Sequence, residues 1–129
     1  MIYTKKLKGK RRGAITPSGK ILIDRRLGQA ARRCTLTHEI IHLERGLAPR
    51  GTRFAAREEQ TVRELTARRL ITLPALTEAL MWVAPDDPYA LAEQLWVDMP
   101  TLRIRLRHIT PAEVGQVNGE LDRRRPWHQ

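Results

Sequence analysis

The stretch CTLTHEIIHLERG, residues 34–46, constrains the fold more than any other part of this sequence. Apolar side chains and one histidine recur at helical spacing along this stretch and the residues just before it, in two stripes: Leu27, Ala31, Cys34, His38 and Ile41, and Leu36, Ile40 and Leu43. A helix that is apolar on two sides lies in the interior of a domain. Gly46 is suited to end it, with Arg45 at the negative end of the helix dipole. The pattern predicts a central, buried helix.

Two histidines, His38 and His42, flank Glu39 on this helix. Positions i and i+4 lie one turn apart on the same face, so both imidazoles can reach one ion about 2.0 to 2.1 Å from each ring nitrogen. Glu39 lies about 100° further round the helix, where a carboxylate can take a proton from water at the metal instead of binding the metal. The alternative is a pair of core histidines bonded to backbone, which would bury a carboxylate without a partner. The spacing favours a metal site.

Two histidines do not hold a catalytic metal alone, so the chain needs a third ligand. The extended motif His-x-x-Gly-x-x-His is excluded, because Arg45 and Ala48 occupy its last two defined positions. The remaining candidates are the glutamates of the following helix, Glu58, Glu59 and Glu64. We predict Glu59, with Glu58 as the alternative and Glu64 in solvent. Glu59 shares a helical stripe with Ala55, Val62, Thr66 and Leu70.

With these motifs the sequence resembles the ImmA/IrrE family of zinc metallopeptidases, which bacteria, mobile elements and phages encode. The resemblance covers most of the chain: the strand pair before RRCTLTHEIIHLERG, the helix EEQTVRELTARRLITLP and a helical C-terminal part. It implies a gluzincin-like fold, Zn²⁺ ligands at His38, His42 and Glu59, a general base at Glu39, and cleavage of a helix-turn-helix repressor. Arg63 departs from the family pattern, because such motifs usually place Asp or Asn there to accept a hydrogen bond from a ligand histidine.

The net charge of +10 is concentrated in residues 1–33, which hold five Lys and six Arg against Asp24 alone. A basic run such as KKLKGKRR can contact phosphates, but such runs also keep strand edges soluble. We expect a solvated surface, with nucleic acid as a less favoured partner. No apolar run approaches the ~20 residues of a membrane span, no secretory signal is present, and one cysteine suits a reducing compartment. We expect a cytoplasmic protein that does not contact a membrane.

We interpret residues 1–129 as a single metallopeptidase domain of α+β class. Residues 1–26 form a basic strand region, with two strands around a Pro-Ser-Gly turn in a small antiparallel sheet. Residues 27–74 carry the metal-site helices, the second from about Phe54 to Thr72. Residues 75–122 form a helical part that starts with the short helix LTEALMWV, and residues 123–129 form a tail.

The segment LAEQLWVDMPTLRIRLRHI, residues 91–109, has the spacing of a helix-turn-helix. It supports an alternative function, a DNA-binding or repressor-binding regulator with a non-catalytic metal site. Against DNA binding, Trp96 stands where glycine normally makes the turn, and Arg105 points away from the face shared by Arg103 and Arg107. We therefore expect this helix pair to pack or dock a substrate, and we expect Trp82 and Trp96 to anchor the core.

Overall fold

The computed structural model of the chain describes residues 1–47 and 51–125, and within them three strands precede six helices. This order confirms the predicted α+β class. The contacts divide the chain into two compact units, Met1–Thr66 and Ala67–Gln129. The interpretation as a single metallopeptidase domain stays a prediction.

The first unit begins with a three-stranded sheet in the order β1-β3-β2. The hairpin was predicted: β2 (Gly13–Ile15) and β3 (Ile21–Asp24) are antiparallel, with Gly13 opposite Ile23. Strand β1 (Ile2–Lys5) was not predicted; it pairs with β3 in parallel and makes the sheet mixed. All four residues of β1 are exposed, so the strand lacks the alternation that marks a half-buried strand.

Helix α1 (Gln29–Arg45) packs against β3 and β2 and carries the two histidines. Its first stripe is buried only in part: Cys34 and Ile41 lie in the core, whereas Leu27, Ala31 and His38 are partly exposed. Its second stripe is not a second core face, because Leu43 is 39% exposed. The helix ends at Gly46, whose φ of +87° is a conformation that side-chain-bearing residues rarely adopt.

Helix α2 (Arg53–Leu70) crosses the boundary between the two units and buries Val62 and Thr66 on the predicted stripe. It ends before the predicted Thr72, because that residue caps the next helix. The Thr72 hydroxyl accepts a hydrogen bond from the N–H of Ala75, and Pro74 lies in the first turn. A side-chain cap and a proline at the helix start favour this boundary over a continuous helix.

The second unit contains α3 (Leu73–Trp82), α4 (Pro88–Leu95), α5 (Met99–Arg107) and α6 (Pro111–Arg124). Helix α3 packs against α4 and α6, and α4 packs against α5. Helix α6 was not predicted as a separate element, although Thr110 and Glu113 form a capping box at its start. Its last two residues belong to the predicted tail. Residues 48–50 of the predicted loop and 126–129 of that tail lie outside the described part of the chain.

Helices α4 and α5 have the predicted spacing of a helix-turn-helix, with Asp98 as the N-cap of α5. Trp96 adopts the left-handed conformation, φ +60°, that glycine usually supplies at this turn. The expectation that Trp82 and Trp96 anchor the core is wrong, since they are 72% and 56% exposed. Both stand at helix ends, and smaller side chains supply the buried core of α4, α5 and the turn between them: Leu91, Leu95, Val97 and Leu102.

Throughout residues 1–47 and 51–125, no helix combines the length and the hydropathy needed to cross a bilayer.

Candidate metal centre

Helix α1 places His38 and His42 side by side on one face. Their rings meet edge to face, with centroids 4.9 Å apart, and their side chains are 19% and 16% exposed. This is the arrangement that the four-residue spacing predicts for two side chains one turn apart. Both ring Nε2 atoms therefore point into the same half-buried space.

Glu59 on α2 reaches both histidines with its two carboxylate oxygens. Oε1 lies 2.6 Å from His38 Nε2, and Oε2 lies 2.8 Å from His42 Nε2. One potential ligand atom from each of His38, His42 and Glu59 lies within 4.8 Å of the other two. Among the described residues, no other group of three or more His, Cys, Asp or Glu side chains brings its ligand atoms this close together. The structure thus brings together the three side chains predicted as ligands.

Two imidazoles and one carboxylate form a donor set that fits zinc. The carboxylate is closer to both rings than the roughly 3.3 Å that separates donor atoms around a tetrahedral zinc. Glu59 therefore hydrogen-bonds directly to the imidazoles, and its oxygens would withdraw by about half an ångström to share an ion with them. A shift of this size needs only a small side-chain rotation, because the Glu59 side chain is 37% exposed.

The pKa shifts favour the charge states that a metal needs. Burial lowers the pKa of His38, although the Glu59 carboxylate opposes this effect. Burial would raise the pKa of Glu59, but His38 and His42 together reverse that effect and lower it. A neutral imidazole and an ionised carboxylate are the forms that coordinate metal ions.

Glu39 is on the same helix but in a different environment. It is 9% exposed, and burial raises the pKa of its carboxyl, while the charge of His42 partly offsets that effect. It is not part of the group of converging ligand atoms. A carboxylate with a raised pKa beside a metal-ligand cluster has the properties of a general base.

The glycine at the start of β2 allows the sheet to approach Glu39. A Cβ atom on Gly13 would lie 2.6 Å from Thr35 Cγ2 and 3.2 Å from Glu39 Cγ and Oε1. Any side chain here would therefore push β2 away from α1 or displace the Glu39 carboxylate. This contact could not be predicted from local patterns, because Gly13 and Glu39 are 26 residues apart in the chain.

A cleft of about 340 Å³ opens over the cluster. Its walls include the three residues of β2, the cluster side chains and Arg11, which precedes β2. Arg11 was predicted to belong to a solvated basic run and was not predicted as part of the site.

The other charged residues near Glu59 are already paired or lie at the rim. Arg45 Nε and Nη2 donate to the two oxygens of Glu58, at 2.7 and 2.9 Å, so the alternative ligand is held in an ion pair. Arg63 Nε lies 4.0 Å from Glu59 Oε1, on an exposed side chain. Arg63 thus faces the Glu59 carboxylate, where its charge would oppose that of a bound cation.

Comparison with protein-family models, with curated proteins and with solved structures finds no match to this chain.

Proposed function

We propose that the chain is a zinc metallo-endopeptidase of the ImmA/IrrE type, which hydrolyses a peptide bond in a regulatory protein such as a helix-turn-helix repressor. One observation carries the proposal: His38, His42 and Glu59 converge while Glu39 is buried beside them with a raised pKa. A purely structural metal site needs the three ligands but not a buried carboxylate outside them.

In this proposal His38, His42 and Glu59 hold the ion. When bound, zinc supplies a Lewis acid that polarises the scissile carbonyl and makes water more acidic. Glu39 accepts the proton of the attacking water on its carboxylate and later delivers it to the leaving amine nitrogen. The raised pKa of Glu39 suits both steps, because the carboxylate holds a proton more readily than an exposed glutamate does.

The edge strand β2 provides a way to orient the substrate. Arg12 O accepts from Asp24 N at 2.7 Å, and Thr16 N donates to Lys20 O at 2.9 Å. The backbone groups of Arg12 and Thr16, on either side of β2, therefore face β3. Because backbone groups alternate in direction along a strand, Gly13 and Ile15 direct theirs to the opposite edge. An extended peptide that pairs with this edge would lie along the wall of the cleft.

A second candidate function is a regulator that binds DNA or a repressor through α4 and α5 and uses a non-catalytic metal site. The left-handed conformation of Trp96 favours it, because the turn of a helix-turn-helix needs a positive φ. Arg103 and Arg107 are exposed on one face of α5. The low net charge of residues 67–129, which hold eight arginines and eight acidic residues, counts against DNA binding.

The decisive experiment uses Glu39→Gln, which keeps the size of the side chain but removes the proton acceptor. Wild type and variant, loaded with zinc, are incubated with a repressor encoded beside the gene and with a proteome-derived peptide library. Fragments are followed by mass spectrometry, with and without a chelator. Glu44→Gln is the matched control, since Glu44 is an exposed residue of the same helix.

We expect cleavage by wild type and by Glu44→Gln, and none by Glu39→Gln or with the chelator. Cleavage that survives both the chelator and Glu39→Gln would refute the zinc mechanism. Tight binding of the repressor without cleavage of any substrate would instead favour the regulator.

A further inference from the structure

We infer that Arg11 selects substrates by binding a carboxylate, so that the peptide in the cleft carries Asp or Glu close to the bond that is cut. The inference rests on the proposed function, because it names the substrate class of the same cleft. It begins from the position of Arg11, which is the one lysine or arginine among the described residues that line this cleft.

The side chain of Arg11 is open to solvent at the cleft wall. Among the residues that the structure describes, no carboxylate forms an ion pair with its guanidinium, and its side chain is exposed. A planar guanidinium at the wall of a cleft is well suited to bind a carboxylate through two hydrogen bonds.

Two of the three acidic residues of the cleft already have partners, and the third is buried. Glu58 is bound by Arg45, and Glu59 is held between the two histidines. Glu39 is buried, and no ion pair of 4.0 Å or less joins it to Arg11. The guanidinium is therefore available to a carboxylate that enters with the substrate.

The loop that carries Arg11 is held in place by a buried carboxylate. Asp24, which is 2% exposed, accepts hydrogen bonds from Leu7 N at 3.2 Å and from Arg26 Nε at 2.9 Å. Arg26 Nη2 in turn donates to Leu7 O at 2.9 Å. These bonds anchor the middle of the basic run to the end of β3, so Arg11 extends from a fixed loop and loses less freedom on binding.

The charge of the whole unit supports the same substrate class. Residues 1–66 hold sixteen Lys and Arg against six Asp and Glu, which accounts for the entire net charge of +10. A cleft within a positive unit attracts acidic peptides and raises their rate of association. The unit alone does not specify where a carboxylate binds, and Arg11 provides that position.

The experiment measures binding and cleavage separately. Glu39→Gln, loaded with zinc, is titrated with fluorescent random peptides in which one position is fixed as Glu, Gln or Lys. The same titration is done with Arg11→Gln and Arg11→Glu in that background. Arg25→Gln is the matched control, because Arg25 is an exposed arginine of the same unit that does not line the cleft. Cleavage of the same peptides is then followed with proteins that retain Glu39.

We expect about a tenfold preference for Glu over Gln peptides. This preference should survive Arg25→Gln, disappear in Arg11→Gln and shift towards Lys in Arg11→Glu. The inference would be overturned if the parent protein bound Glu and Gln peptides with equal affinity. It would also be overturned if Arg11→Gln and Arg25→Gln reduced the preference for Glu peptides equally. If the protein bound duplex DNA more tightly than the Glu peptides, and if both Arg11 and Arg25 were needed for this, the basic surface would serve to bind nucleic acid. That result would also overturn the inference. Selective binding without cleavage would contradict only the proposed peptidase.

Discussion

Gly13→Ala tests whether the close approach of β2 to α1 holds the site together. The added methyl would lie 2.6 Å from Thr35 Cγ2, where ordinary carbon contacts begin near 3.4 Å. Thr35 is buried, so roughly an ångström of movement must come from the backbone. Such overpacking costs about 1–3 kcal/mol, and the less flexible unfolded chain returns about 0.4–1 kcal/mol. We expect a net loss of about 1–2 kcal/mol in the free energy of unfolding.

Thr35→Ser isolates the cause, because it removes Cγ2 and keeps the hydroxyl. In Gly13→Ala with Thr35→Ser, the nearest remaining contacts are Glu39 Cγ and Oε1 at 3.2 Å. The double variant should therefore lose about 1 kcal/mol less than the sum of the single variants. Cleavage should recover only in part, since the methyl still touches the Glu39 carboxylate.

The assay must report on the first unit. All three tryptophans lie beyond residue 66, so tryptophan fluorescence follows the second unit. Hydrogen exchange of peptides from β2 and α1, followed by mass spectrometry in rising urea with a chelator, measures the correct region. Strictly additive effects of the two substitutions, or a fully stable Gly13→Ala, would refute the argument that this contact is tight.

Two further predictions concern the metal and acid stability. Purified wild type should hold about one zinc per chain, and His38→Ala and His42→Ala should lose it, because two ligands bind zinc weakly; equal zinc content by mass spectrometry in all three would exclude the site. The Thr110 N–H and then Arg105 lower the pKa of Glu113 to about 2 from 4.5. The resulting stability is complete above pH 4.5 and is lost as the pH falls towards 2, so urea midpoints of wild type should decline over that range more steeply than those of Glu113→Gln.

Local patterns predicted the parts of the fold that local forces determine. The repeat of apolar residues predicted α1, and the four-residue spacing predicted the meeting of His38 and His42. The stripe through Val62 and Thr66 correctly predicted that Glu59 points towards the interior, where it meets the histidines. In each case the relevant partners are one or two turns apart, or lie on a face whose burial the sequence already indicates.

Features that depend on distant contacts were missed. β1 has no alternation, because it pairs at the edge of a sheet with its side chains exposed. Trp96 occupies a left-handed position for which its residue type has no preference, so no propensity could predict it. The roles of Gly13 and Arg11 follow from where β2 lies beside α1, a contact between elements that no periodicity within either one encodes.

Three glutamates line the cleft, and each has different neighbours. Glu58 meets Arg45 and becomes half of an ion pair. Glu59 meets two imidazoles, and their combined effect lowers its pKa despite burial. Glu39 is buried beside Gly13 without an ion-pair partner in the described residues, and burial raises its pKa. These opposite shifts fit the roles that we propose, Glu59 as a metal ligand and Glu39 as a proton acceptor. The division of roles that we propose for this site therefore depends on what each carboxylate faces, since all three residues are chemically the same.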